Sequence, residues 1–115
     1  MVVALLLMVA EPPVATALSW EQRTKIASMI WQSCNEHMAK EYAKGKDPAG
    51  DVADAAAAKC NSAGDKFEEY ATQYFMEKHG WGGALAGDTA RKQRDALRAA
   101  YRDKALAAAM DARTK

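Results

Sequence analysis

The residues of this chain best suited to chemistry are Cys34, His37 and Cys60. Cys34 and His37 stand one helical turn apart, and two thiolates with an imidazole are familiar zinc ligands. Glu41, four residues beyond His37, would supply a fourth. The spacing permits such a site without specifying it. Structural zinc sites usually pair their ligands at both ends, whereas Cys60 is followed by Asn61, Ser62 and Ala63. His79 is no substitute, because a helix from Cys60 would carry it about 28 Å away. Haem attachment needs C-x-x-C-H, and Cys34-Asn35-Glu36-His37 lacks both the second cysteine and the adjoining histidine. Met29, Met38, Met76 and Met110 do not cluster, and methionine is a common core filler. The favoured reading of Cys34 and Cys60 is therefore a disulfide, with Cys34, His37 and Cys60 as a metal set the alternative; no cofactor is expected.

Catalytic patterns are missing. Glu68 and Glu69 are adjacent and project to different sides of a helix. No Ser-His-Asp set, glycine-rich phosphate loop or paired-carboxylate motif is present. The expectation is a protein that is not an enzyme.

The two cysteines must be positioned by helices. Ala, Glu, Lys, Met, Arg and Gln dominate after Leu18, β-branched residues are scarce, and no segment alternates with period two. Gly45-Lys46-Asp47-Pro48 reads as a helix stop, then an Asp cap and a proline at the first helical position. Gly80-Trp81-Gly82-Gly83 is a second break, and Asp88 is a plausible cap for a third helix. Helices are expected near 19–44, 48–79 and 88–112, the first opened by a Ser19–Gln22 capping box. The first carries a stripe of Trp20, Ala27, Trp31, Cys34, Met38 and Tyr42. The second carries Ala53, Ala56, Cys60, Ala63, Phe67, Tyr70 and Tyr74 at spacings of three and four.

An antiparallel hairpin pivoting at Asp47 sets residue i level with residue 94 − i, since both helices rise equally per residue. Cys34 then faces Cys60. Trp31 faces Ala63, Met38 faces Ala56, Ala27 faces Phe67 and Trp20 faces Tyr74. Large residues mostly meet small ones, so the helices can approach closely. A bridge here closes a loop of about 27 residues, for which chain entropy predicts about 3–4 kcal/mol of stabilisation. The fold expected is all-α: a small three-helix bundle built on a disulfide-linked helical hairpin, forming one domain over residues 18–115.

The amino-terminal residues bear on the compartment. Val2–Ala10 is an uninterrupted apolar run, too short to span a bilayer. Glu11, Pro12 and Pro13 end it, and Ala15-Thr16-Ala17 places small residues where a signal peptidase cuts. Residues 1–17 read as a cleaved signal peptide, although no Lys or Arg precedes the run; a retained anchor is the alternative. Export to the periplasm or exterior agrees with a disulfide, which persists in oxidising compartments.

Two surface features suggest partners. Trp81 sits on a glycine-flanked loop, either as the hydrophobic residue of a helix-end motif leaning on Met76 or as an exposed binding anchor. Arg91, Arg94, Arg98 and Arg102 form a stripe on the third helix, with Asp95 in salt-bridge reach. That stripe is either a solvated face or a surface for an acidic partner. The formal net charge of +1 argues against nucleic acid. The functional expectation is a non-catalytic protein that binds another envelope or secreted protein, as inhibitors, immunity proteins and chaperones do. A metal-binding protein, or a membrane-peripheral module working through the basic helix, is the alternative.

Overall fold

The computed structural model describes residues 18–115, so the expected signal peptide, 1–17, lies outside the described residues. The described chain is an all-α bundle of four helices: α1 (Trp20–Tyr42), α2 (Ala49–Lys59), α3 (Asn61–His79) and α4 (Gly83–Thr114). Ser19 opens α1 with both halves of a capping box. Its Oγ accepts from the Gln22 amide at 3.1 Å, and Gln22 Oε1 accepts from the Ser19 amide at 2.9 Å. These bonds satisfy amide donors that the first turn would otherwise leave open.

The middle helical segment differs from the single helix expected over 48–79. It breaks at Cys60, which ends α2 and immediately precedes α3 with φ −95° and ψ 11°. No glycine or proline marks the break. Cys60 keeps its bond to the Ala56 carbonyl while the Ala63 amide turns to the Cys60 carbonyl, a local change from α-helical hydrogen bonding. The last helix begins at Gly83 rather than near Asp88, because Gly82 adopts the extended conformation of an N-cap and the Ala86 amide bonds its carbonyl. Between α3 and α4, Gly80 is left-handed at φ 67° and its amide bonds the Met76 carbonyl. Only glycine adopts that conformation at little cost.

Two cores run along the bundle. The first is aromatic and lies between α1, α3 and α4: Trp31 packs 5.8 Å from Phe67 and edge-on to Tyr101 at 5.1 Å. The second is built of alanines, with Ala39, Ala53, Ala56, Ala105 and Ala109 around Val52. Such small residues let α1, α2 and α4 approach closely. The hairpin register holds at the cysteines and drifts away from them. Trp20 meets Tyr70 at 6.0 Å, one turn before the Tyr74 that the register expects.

The last helix does not merely rest on the hairpin. Ala86, Ala90, Arg94, Tyr101, Ala105 and Ala109 are all buried along it. Near its end, Arg113 donates to the carbonyl oxygens of Ala43, Gly45 and Asp47, binding together the turn between α1 and α2.

Candidate binding surface

Cys34 and Cys60 form a disulfide, with Cα atoms 5.9 Å apart. This overturns the alternative metal set of Cys34, His37 and Cys60. Both sulfurs are spent in a covalent bond and neither can become the thiolate that zinc requires. His37 is exposed on α1, and the described residues contain no cluster of His, Cys, Asp and Glu suited to a metal ion.

Of the arginine stripe of α4, Arg94 alone is buried; Arg91 and Arg98 are exposed and Arg102 is half-buried. Arg94 is 9% exposed, with Nη1 at 2.6 Å from Asp65 and 3.1 Å from Glu68, while Nη2 donates to Asn61 Oδ1 at 2.9 Å. Burial pulls the Arg94 pKa down, but the hydrogen bonds to Asp65 and Glu68 outweigh it and hold the group above its ordinary value. Arg98 shares the Asn61 oxygen at 2.9 Å, Arg102 bonds Asp54 at 2.6 Å, and Arg91 lies 3.9 Å from Glu68. Asp95 forms no ion pair among the described residues; the arginines reach across to α2 and α3 instead. The hydrogen bond from Arg102 holds the Asp54 carboxyl below its ordinary value, and Asp54 in turn raises Arg102. Each of these shifts favours the charged form of its group.

Trp81 is half-buried at the corner between α3 and α4. Its ring stacks on His79 at 4.3 Å and lies 6.1 Å from Phe75. The tryptophan therefore closes the end of the aromatic core, in the manner of the apolar residue that comes after a glycine-capped helix.

The exposed apolar surface lies elsewhere, on the outward face of α1. Ile26, Met29 and Ile30 are 42%, 69% and 59% exposed and fall within one helical turn. A groove runs along each side of them. One, of about 510 Å³, lies between α1 and α3 and is lined by Leu18, Arg23, Ile26, Ala27, Ile30, Ala63, Lys66 and Tyr70. The other, of about 470 Å³, lies toward α4, with Glu21, Lys25, Met29, Phe67 and Leu97 among its lining. The stripe from Trp20 to Tyr42 marks the seam of α1 and leaves this second apolar set unassigned. Its signal is nonetheless present in the chain: three large apolar residues at i, i+3 and i+4 that the seam does not use. Leu85 and Met110 are also exposed, but each stands alone.

The arrangement offers apolar contact flanked by charge, a surface suited to binding. No described helix is long and apolar enough to cross a membrane. Comparison with protein families, with curated proteins and with solved structures finds no match to this chain.

Proposed function

We propose that the protein is an exported, non-catalytic binding domain that docks another protein of the cell envelope or exterior through the outward face of α1. The observation that carries this reading is the Ile26–Met29–Ile30 patch, left in solvent while Arg94 is buried against α3 and Trp81 stacks on His79. Contiguous exposed apolar surface between polar flanks is characteristic of interaction sites. The disulfide supports the compartment, since such bonds persist where conditions are oxidising. Arg94 is the arginine of the stripe least open to a partner, since its contacts to Asn61, Asp65 and Glu68 are made by a nearly buried side chain.

A photo-crosslinking residue placed at Met29 in the native host tests the reading. A discrete adduct with one partner is expected from Met29 and not from the exposed Lys104 on α4. The same adducts from both positions, or none from Met29, would overturn it.

A further inference from the structure

We propose that Met29 is an oxidation site, and that conversion of its thioether to the sulfoxide by a peroxide releases the protein partner. The inference rests on the docking reading given above and adds its regulation. Met29 is 69% exposed and stands between Ile26 and Ile30 on the outward face of α1, where it also borders the groove toward α4. The other methionines of the described chain are placed differently. Met38 and Met76 are half-buried and packed against the aromatic core, while Met110 is exposed but isolated near the end of α4. Cys34 and Cys60 are already joined to each other. Among the described residues, thioethers are therefore the sulfur groups left for an oxidant to attack, and the most exposed of them lies in the docking patch.

The chemistry needs only the oxidant. The sulfur lone pair attacks one oxygen of hydrogen peroxide as the O–O bond breaks. The hydroxide that leaves takes the proton from the new S–OH group, so sulfoxide and water are the products. Sulfur loses two electrons and the peroxide gains them. The oxidised side chain keeps its length but becomes polar, with an acceptor oxygen on sulfur. In the free protein that oxygen is solvated, because the site is exposed, and the fold is left as it was. Against an apolar partner surface the same oxygen loses its water with no donor to replace it. A cost of that kind weakens docking by about ten-fold.

The test places the photo-crosslinking residue at Ile30 in the native host, so that Met29 is kept, and irradiates cells with and without prior hydrogen peroxide. Peptide masses from the same cells read oxidation at each methionine. Met29 should gain one oxygen before Met38 and Met76 do, and the adduct yield should fall about ten-fold as it does. Met29→Leu keeps the apolar contact and cannot be oxidised, so its adduct should survive peroxide. Met29→Gln puts an amide oxygen where the sulfoxide oxygen would be. It should lose the adduct without peroxide while its circular dichroism spectrum stays unchanged. Oxidation of Met38 or Met76 ahead of Met29, an adduct that survives full oxidation of Met29, or equal loss from the Met29→Leu variant would each overturn the proposal. So would a Met29→Gln variant that forms the adduct normally. No adduct from Ile30 in untreated cells would overturn the docking reading and this inference with it, whereas an adduct indifferent to oxidation removes this inference alone.

Discussion

The indole of Trp31 fills the space that a side chain at position 64 would occupy. A β-carbon on Gly64 would lie 2.9 Å from Trp31 Cζ2 and 3.0 Å from Cε2, with Arg94 Nε at 3.3 Å on another side. Trp31 is 2% exposed and held between Phe67 and Tyr101, so it has little freedom to retreat. Gly64→Ala should therefore lower stability by about 1 kcal/mol, overpacking of about 1–3 kcal/mol exceeding the helix-propensity gain of about 1 kcal/mol. Gly87 in α4 is the control, since a β-carbon there meets nothing within 4 Å. Gly87→Ala should raise stability by up to about 1 kcal/mol. Urea unfolding of both variants checks the pair, and equal shifts would show that the contact at Gly64 does not matter.

Arg94 should be the costliest arginine to remove. Its contacts to Asp65, Glu68 and Asn61 are made by a nearly buried side chain, while Arg91 is largely exposed and only 3.9 Å from Glu68. Breaking a fully buried pair costs about 3–5 kcal/mol, and the solvent around Asp65 reduces that here to about 2 kcal/mol for Arg94→Ala. Arg91→Ala should stay within about 0.5 kcal/mol of the parent. Denaturation midpoints at fixed m-value decide between the two.

Replacing both Cys34 and Cys60 by alanine should cost about 3 kcal/mol, most of it through the freed unfolded chain. Thermal unfolding with and without reductant should show the same difference, and the alanine variant should no longer respond to reductant. A parent indifferent to reduction would mean that the bond adds nothing to stability.

Acid should weaken the tie between α2 and α4. The Asp54 carboxyl is held below its ordinary value of 3.8 by Arg102, so the folded state binds this proton less readily than the unfolded state. The stabilisation is thus fully present above pH 3.8 and is lost as the pH falls through the lower folded value. Asp54→Asn should flatten that acid limb slightly and leave stability at neutral pH little changed, because the pair is solvent-facing. Stability measured across the acid range, from about pH 2 to about pH 6, for parent and variant tests both statements.

The α1 face should be dispensable for folding. Met29 is 69% exposed, so Met29→Glu should change stability by no more than a surface substitution does, within about 0.5 kcal/mol. A large drop in melting temperature would place Met29 in the stabilising core and remove the reason to assign its exposure to binding.

The cysteine pairing was legible because helix rise and the position of one turn are local quantities, and counting from Asp47 needs nothing else. Ser19 and Gly80 were legible for the same reason, each being a cap whose partner lies within four residues. Arg94 was not, since the preference of arginine for solvent hides a case in which Asn61, Asp65 and Glu68 prepare a polar socket. The break at Cys60, just before Asn61, likewise carries no glycine or proline to mark it. Ile26, Met29 and Ile30 were visible but unclaimed, because one helix can carry two apolar faces and periodicity does not say which is covered.

Arg113 gives the chain a direction in time. The three carbonyls it holds belong to residues 43, 45 and 47, which precede it in the chain by 70, 68 and 66 residues. A polypeptide that emerges amino end first presents its hairpin, and its two cysteines, long before this latch exists. The turn lacks its latch until Arg113 has been made, so the cross-link can precede that contact.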